Sequence, residues 1–238
     1  MNKAIIVGAS SGMGRALACE LKAKGYTVGL MARRRTLLEE LRAHLGNHAY
    51  VKVCDLSNSA TAMESLRELI VEMGGVDVVV VSAGIGHLNP DLNWDLEQET
   101  ILVNALGFAA MANVAFTHFQ RQGRGHLVGI TSVSALIGNR TAPAYNATKA
   151  FASNYLDGLR QKAAKENLSI VIADIQPGFV DTAMAKSPIK FWVASPETAA
   201  AQIMRAIQRK TAHAYVSRRW RLLAWILKSL PEPVLRRL

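Results

Sequence analysis

Two side chains that could exchange a proton with a substrate lie four positions apart, Tyr145 and Lys149. Residues at positions i and i+4 of a helix share one face, so a helix here would bring both side chains to the same site. A free tyrosine has a pKa of about 10, which is too high for a base near neutral pH. Because a nearby ammonium group favours tyrosinate, Lys149 is expected to lower that pKa and make Tyr145 an acid/base.

The elements that must position these residues alternate between short apolar runs and longer helical patterns. The predicted strands are Ala4–Val7, Thr27–Met31, Tyr50–Val53, Val76–Val81, Gly125–Thr131, Leu168–Ile175 and Ala214–Ser217. The predicted helices are Gly14–Lys24, Arg35–Leu45, Ala60–Met73, Glu97–Arg121, Ala144–Glu166 and Pro196–Lys210. Apolar strands without polar alternation are typical of a parallel sheet covered on both faces. The sequence therefore predicts an α/β fold: one doubly wound parallel sheet (Rossmann fold), helices on both faces, and ligands at the carboxyl ends of the strands.

A glycine-rich loop connects the first predicted strand to the first predicted helix. Glycine permits a sharp turn, close approach of the backbone to a pyrophosphate, and tight packing of the helix on the sheet. The helix amino terminus then presents free N–H groups to phosphate. We therefore predict a nucleotide-binding loop, with a purely structural turn as the alternative; its residues are Gly8, Ser10, Ser11, Gly12, Met13 and Gly14.

The second predicted strand leads into three consecutive arginines, Arg33, Arg34 and Arg35. A site that prefers NAD usually carries Asp or Glu here to hold the ribose 2′-hydroxyl, and this chain has neither. Guanidinium groups bind phosphate oxygens in pairs. We therefore predict NADP(H) as the cofactor, with its 2′-phosphate on Arg33 and with Arg34 and Ser10 nearby. A solvated basic turn is the alternative.

The spacing of the glycines, together with the Tyr145–Lys149 pair, resembles the classical type of the short-chain dehydrogenase/reductase family. The resemblance extends from about Lys3 to Thr182 and implies hydride transfer between NADP(H) and a carbonyl or secondary alcohol. It implies that Ser132 polarises the substrate carbonyl, with Ser134 as a competing candidate. Asn104 matches the family asparagine that holds a proton-relay water beside the lysine, and a helix cap is its alternative role.

The same resemblance implies further cofactor contacts. Asp55, followed by Leu56, matches the position that holds the adenine amino group, although a turn or helix-capping aspartate is the alternative. The residues Val81, Ser82, Ala83 and Gly84 stand where the family typically has Asn-Asn-Ala-Gly, so Val81 and Ser82 replace both asparagines and the loop is expected to be stabilised differently. The loop expected to close on the nicotinamide contains Pro177, Gly178, Val180 and Thr182. Lys149 is also expected to donate to the nicotinamide ribose hydroxyls.

The composition bounds the competing functions. The 238 residues carry 28 Lys and Arg against 18 Asp and Glu, a formal net charge of +10. This charge does not predict nucleic-acid binding, because the basic clusters lack the interleaved aromatic residues that stack on bases. A non-catalytic NADP-binding regulatory protein is the alternative function, although it would need no Ser–Tyr–Lys set. The two histidines at His44 and His48 have no companion ligands that would indicate a metal site.

Other features suggest an intracellular, cytoplasmic protein. Cys19 and Cys54 are too few for a disulfide framework and are interpreted as buried thiols. No cleavable signal is visible, and no uninterrupted apolar run reaches the ~18–20 residues that span a bilayer.

The last part of the chain departs from the family pattern. We expect residues 1–217 to form the Rossmann-type NADP-binding and catalytic domain, and residues 218–238 a basic, apolar helical extension. Trp220 and Trp225, flanked by cations, suit a membrane interface; packing over the substrate pocket or against a subunit is the alternative. The segment 183–195 is apolar and predicts a hydrophobic carbonyl substrate, with Met184, Ile189, Phe191, Trp192 and Val193 as its apolar members.

The segment Asn104–Phe119 is apolar on nearly every side. A helix on a sheet needs only one apolar stripe, so we expect a second surface to cover the remainder. The resemblance implies a two-fold interface built from this helix and the Tyr145 helix. The sequence therefore predicts a homodimer or a homotetramer.

Overall fold

A single parallel sheet organises the computed structural model, which describes residues 2–184, 191–229 and 231. Within that range the strands are β1 (Lys3–Val7), β2 (Thr27–Ala32), β3 (Ala49–Val53), β4 (Val78–Val81), β5 (Arg124–Ile130), β6 (Ser169–Pro177) and β7 (His213–Val216). They are ordered β3-β2-β1-β4-β5-β6-β7, all parallel. The strand order reverses between β1 and β4, where a ligand crevice is expected. The predicted doubly wound sheet is confirmed.

Helices cover both faces of this sheet. They are α1 (Gly12–Ala23), α2 (Arg35–Leu45), α3 (Ser59–Glu72), α4 (Trp94–Ile101), α5 (Phe108–Gln122), α6 (Pro143–Lys165), α7 (Pro196–Gln208) and α8 (Trp220–Ser229). Successive strand residues point to opposite faces. Accordingly Ile5 and Val7 belong to the core under α3, α5 and α6, whereas Ala4 and Ile6 belong to the core under α1, α2 and α7.

The first helix begins two residues earlier than predicted. Ser11 is its N-cap and has an extended backbone, so Gly12 and Gly14 both lie in the first helical turn. The unpaired N–H groups of that turn therefore belong to the glycine loop itself, which is the arrangement that favours an anion.

The predicted helix Glu97–Arg121 is present but not uniform. A π-helical turn, Leu102–Gly107, joins α4 to α5 and contains Asn104. Such turns are rare and often mark functional sites. The helical stretch Trp94–Gln122 is long and apolar enough, by length and composition, to cross a membrane, a property that counting uninterrupted apolar runs overlooked. Because 61% of its most apolar window is buried by the rest of the fold, it serves here as a core helix.

Most of the apolar surface of α5 is covered by the chain's own fold. Its large apolar side chains are buried within the chain itself, namely Phe108, Met111, Val114, Phe116 and Phe119. Exposed apolar side chains remain beside it at Ile101, Leu106 and Phe151.

The two thiols differ from each other, since Cys54 is buried, as expected, whereas Cys19 is only partly covered. Burial raises the pKa of the Cys54 thiol to about 11, which leaves it unreactive.

One polar side chain in β5 makes the stability of the fold sensitive to pH. His126 is buried, its Nε2 has no hydrogen-bond partner, and burial, assisted by Lys210, lowers its pKa to about 4. In an unfolded chain the pKa of histidine is about 6.5. Below that pH the unfolded state therefore binds the proton more readily than the folded state, and stability falls until the pH reaches about 4.

We predict that His126 alone lowers the free energy of unfolding by about 2 kcal/mol between pH 7.5 and pH 5. Urea denaturation of the parent and of His126→Leu at both pH values measures this contribution. The leucine variant should lose less stability over the interval by about that amount. An identical pH dependence in both proteins would contradict the assignment.

Candidate active site

The carboxyl end of β5 presents a serine hydroxyl that its neighbours hold in place. Ser132 is buried; its Oγ accepts a hydrogen bond from the backbone N–H of Ser134 at 3.0 Å and donates to the carbonyl of Pro177 at 3.4 Å. The Ser132 hydroxyl also acts on Tyr145, since it lowers the pKa of the phenol, against the larger effect of burial. The competing candidate Ser134 contributes its backbone N–H to Ser132.

Tyr145 and Lys149 occupy one face of α6, as their spacing predicted. The Nζ of Lys149 lies 5.8 Å from the centre of the Tyr145 ring. The same Nζ donates to the carbonyl of Ile130, the last residue of β5, at 3.2 Å. Lys149 is buried, so the amine is held at the junction between α6 and the sheet. Ser132, Tyr145 and Lys149 thus converge at the end of β5.

The pKa of Tyr145 differs in direction from the sequence expectation. Burial raises it above its ordinary value, and the hydrogen bond with Ser132 only partly opposes that effect. Burial also lowers the pKa of Lys149 to about 8, against the influence of Asp174. Removal of both groups from water disfavours the charged form of each. The expected lowering by Lys149 is therefore not found, and Tyr145 carries its proton at neutral pH.

Asn104 fastens the loop that follows β4. Its Nδ2 donates to the carbonyl of Ile85 at 2.7 Å, and its Oδ1 accepts from the N–H of the same residue at 2.8 Å. A Cβ on Gly84 would lie 3.2 Å from Asn104 Oδ1 and 3.4 Å from Lys149 Nζ. The side chain therefore pairs with a distant backbone and does not cap its own helix, and Gly84 fits between it and the lysine.

Sequence reasoning missed a buried carboxylate beside these residues. Asp174 is only 2% exposed, and it accepts hydrogen bonds from Thr131 Oγ1 at 2.5 Å, Ser153 Oγ at 2.6 Å and Gln176 Nε2 at 3.0 Å. Thr131 precedes Ser132, and Ser153 lies one helical turn after Lys149. Asp174 therefore links β5, β6 and α6 at the site. In the sequence, Asp174 could have been noticed as a single acidic residue within the apolar run that forms β6.

A cleft of about 360 Å³ opens beside this group, along the carboxyl ends of β1 to β4. Most of the predicted cofactor residues line it: Gly8, Ser10, Ser11, Gly12, Met13, Gly14, Arg33, Arg34, Asp55, Leu56, Ala83, Gly84 and Thr182. The predicted residues Pro177, Gly178 and Val180 are not part of that lining, and neither are the pair Tyr145 and Lys149. The glycine loop and the catalytic group are therefore adjacent parts of one region.

Two glycines of the loop are required by close contacts. Gly8 has a φ of +96°, and a Cβ there would lie 2.5 Å from the backbone nitrogen of Ala83. A Cβ on Gly14 would lie 2.1 Å from the carbonyl oxygen of Gly8. No side chain fits at either position, so the loop packs against the end of β4 and against its own helix.

Arg33 and Arg34 make different contacts in the structure. The guanidinium of Arg34 donates to Ser10 Oγ at 2.8 Å and to Ser11 Oγ at 2.7 Å, so Arg34 lies against the glycine loop. Arg33 is 53% exposed and lies 4.0 Å from the carboxylate of Glu99. Arg34 therefore contacts the glycine loop directly, and both arginines line the cleft.

Asp55 occupies the same cleft but also has a local structural role. Its Oδ1 accepts from both the N–H and the hydroxyl of Ser57, each at 2.9 Å. This is the side-chain turn that was the alternative to adenine binding. The residue remains exposed at the edge of the cleft.

Aromatic side chains surround the loop that follows β6. Gly178 packs directly on the buried Trp220 of α8, and Phe191 stacks on the same indole at 5.0 Å between ring centres. Phe179 and Trp192 complete the cluster. The predicted apolar residue Ile189 lies outside the described residues. The packing alternative for the tail is therefore realised at Trp220, whereas Trp225 on the outer face of α8 is exposed.

Comparison with known proteins identifies the class. The family described as "short chain dehydrogenase" matches residues 2–190 of the chain. An uncharacterized oxidoreductase from Myxococcus xanthus (strain DK1622) is 33% identical, covering 97% of this chain and 93% of the relative. One from Mycobacterium tuberculosis (strain CDC 1551 / Oshkosh) is 31% identical, covering 99% of this chain and 96% of the relative.

Two solved structures share the fold. A short-chain dehydrogenase from Sphingobium yanoikuyae in complex with NADPH has a TM-score of 0.82 at 20% identity, covering 98% of this chain and 97% of the other. A 3-ketoacyl-(acyl-carrier-protein) reductase from Brucella melitensis complexed with NADH has a TM-score of 0.81 at 22% identity, covering 91% and 98%. The chain belongs to the short-chain dehydrogenase family. It is an oxidoreductase of that type.

We predict that Asp174→Asn destabilises the fold by about 1–3 kcal/mol, because an amide group cannot accept all the hydrogen bonds that the buried carboxylate accepts. Chemical denaturation measures the change. Asp157→Asn, an exposed acid on α6, is the matched control and should stay within about 0.5 kcal/mol of the parent. Equal stability of the two variants would show that the Asp174 hydrogen bonds contribute little.

Proposed function

We propose that the protein interconverts a carbonyl and a secondary alcohol by hydride transfer, with NADP(H) as the cofactor. The observation that carries the proposal is the convergence of Ser132, Tyr145 and a buried Lys149 at the end of β5, next to a cleft lined by a glycine loop. The two similar solved structures are complexes with NADPH and with NADH, which supports a nicotinamide cofactor.

The residues of the cleft fit such a cofactor. The glycine loop admits no side chain at Gly8 or Gly14, and the first turn of α1 begins within it, so its N–H groups suit a pyrophosphate. Arg34 lies against Ser10 and Ser11 and would hold a 2′-phosphate there, with Arg33 at the rim. When bound, the nicotinamide supplies or accepts the hydride.

The protein's own residues handle the proton. Ser132 and Tyr145 present two hydroxyls to a carbonyl oxygen, and these polarise it as negative charge develops there. In the reductive direction Tyr145 gives its proton to that oxygen, which yields the alcohol and leaves a phenolate. The raised pKa keeps Tyr145 protonated before this step. The nearby ammonium of Lys149 then stabilises the phenolate until a proton from solvent restores the hydroxyl.

The substrate is proposed to be apolar. Gly86 approaches the Tyr145 ring, with a Cβ position 3.1 Å from Cδ2 and 3.5 Å from Met184, so the wall opposite the tyrosine is backbone and an apolar side chain. Phe191, Trp192 and Val193 continue this apolar character and are partly exposed. A hydrophobic ketone or its alcohol matches such a wall.

The assembly is proposed to be a homodimer or a homotetramer. Exposed apolar side chains lie on α4, on the π-helical turn and on α6, at Ile101, Leu106 and Phe151. A two-fold partner would cover them.

We predict that Tyr145→Phe lowers kcat by at least ~100-fold, because the proton donor is lost and positioned acid–base groups contribute about that much or more. NADPH affinity should stay within a few-fold. The matched control is Tyr155→Phe, which lies on the same helix but stacks on Phe151 away from Ser132 and Lys149, and it should keep parental turnover. Carbonyl reduction followed by NADPH absorbance measures both variants. Parental turnover in Tyr145→Phe would refute the acid/base role.

We further predict that NADPH binds at least ~10-fold more tightly than NADH, a difference of about 1.4 kcal/mol. Arg34→Gln should erase more of this preference than Arg33→Gln, because Arg34 contacts the glycine-loop serines and Arg33 faces Glu99. Titration calorimetry with both cofactors provides the test. Equal affinities of the parent for NADPH and NADH would exclude the phosphate assignment.

A further inference from the structure

A second cavity lies at the far edge of the sheet, between α7, β7 and the start of α8. Its volume is about 710 Å³, and its lining shares no residue with that of the cofactor cleft. Four arginines line it, together with one histidine and one tyrosine: Arg205, Arg209, Arg218, Arg221, His213 and Tyr215. None of the described residues that line it is acidic. The proposed redox chemistry assigns no task to this cavity.

The charge of the cavity is not balanced by the surrounding described residues. No ion pair within the described ranges involves any of its four arginines. The carboxylate of Asp174 lies 3.6 Å from His213 and already accepts three hydrogen bonds. His213 also contacts the Tyr215 hydroxyl at 3.3 Å. Guanidinium groups gathered without counter-charges favour an anion, and their paired donors match phosphate oxygens.

An exposed apolar face begins at the rim of the same cavity. On α8, Trp220 and Ala224 are buried, whereas Leu222 is 62% exposed, Trp225 71% and Ile226 42%. With 3.6 residues per turn, Trp225 lies only about 40° around the helix from Arg221, which lines the cavity. The helix is therefore apolar on its solvent side as well as on its packed side. Tryptophan and leucine beside cations are typical of segments that lie in a membrane interface.

We propose that the arginine-lined cavity and the outer face of α8 together bind an anionic membrane surface. The arginines bind lipid phosphate groups, and Leu222, Trp225 and Ile226 enter the interface between headgroups and acyl chains. A soluble phosphate would account for the arginines but leave the exposed tryptophan unexplained. A second copy of the chain would place two uncompensated arginine clusters close together, and like charges repel.

The test uses the full chain and vesicles, and it does not depend on catalysis. Co-sedimentation compares vesicles of phosphatidylcholine with vesicles containing 30% phosphatidylglycerol. We expect binding to the anionic vesicles that weakens as salt is added, because screening reduces attraction between the arginines and the headgroups. Trp225 should enter a less polar environment, which shifts the tryptophan fluorescence to shorter wavelength.

Variants separate the two parts of the site. The double variant Arg209→Gln/Arg221→Gln should weaken binding to the anionic vesicles by at least ~10-fold. Trp225→Gln should weaken it as well, while removing the fluorescence shift. The charge-matched control is Arg42→Gln/Arg67→Gln, which should bind as the parent does. Arg42 pairs with Glu39 within α2, and Arg67 pairs with Glu64 within α3, both outside the proposed site. Circular dichroism and NADPH affinity establish that each variant is folded.

Three results would overturn the proposal. Equal binding to both kinds of vesicle would show that the arginines take no part. Calorimetric binding of inorganic pyrophosphate, without any vesicle binding, would make the cavity a site for a soluble anion. A stable oligomer that Trp225→Gln dissociates, again without vesicle binding, would identify the α8 face as a contact between copies. Because no readout uses turnover, a failure here leaves the proposed reaction untouched.

Discussion

The buried carboxylate of Asp174 is the interaction on which the arrangement at the end of β5 depends. One side chain accepts hydrogen bonds from Thr131 on the β5 side, from Ser153 on α6 and from Gln176 on its own strand, and it also approaches His213 on β7. An ionised carboxylate is strongly disfavoured in a dry interior unless such donors surround it. The same charge favours the ammonium form of Lys149, which burial disfavours. The geometry of the site and its electrostatics therefore have a common origin.

Burial governs the chemistry of the paired residues more than their proximity does. A tyrosine and a lysine on one helical face suggest that the cation lowers the pKa of the phenol. In the folded chain both groups lie away from water, and each shifts toward its neutral form. A neutral phenol beside a serine hydroxyl is a proton donor.

The features set by local pattern could be predicted from the sequence. Uninterrupted apolar runs identified β1, β2 and β4 because a central parallel strand is buried on both faces. The glycine loop was identifiable because its glycines meet steric limits imposed by adjacent backbone at Ala83 and Gly8. The i, i+4 spacing placed Tyr145 and Lys149 on one face because α6 is a regular helix there.

Features set by long-range contact were not predictable in the same way. Adjacent arginines look alike in sequence, but only Arg34 reaches Ser10 and Ser11. Asn104 pairs with Ile85, which is 19 residues away in the sequence. The π-helical turn that contains Asn104 has no recognisable pattern of apolar residues. Likewise, the sequence shows that α5 is apolar on nearly every side, but it does not show how much of that surface the chain's own fold covers.

The contact between Gly178 and Trp220 ties the last helix to the loop after β6. The indole occupies the space that any side chain at position 178 would need, so the two positions fit together only as a pair. Helix α8 is therefore an integral part of the fold. A chimera that takes the carboxyl-terminal segment of a relative should fold only if positions 178 and 220 are exchanged together. Losing the indole alone would leave a cavity beneath the loop that follows β6.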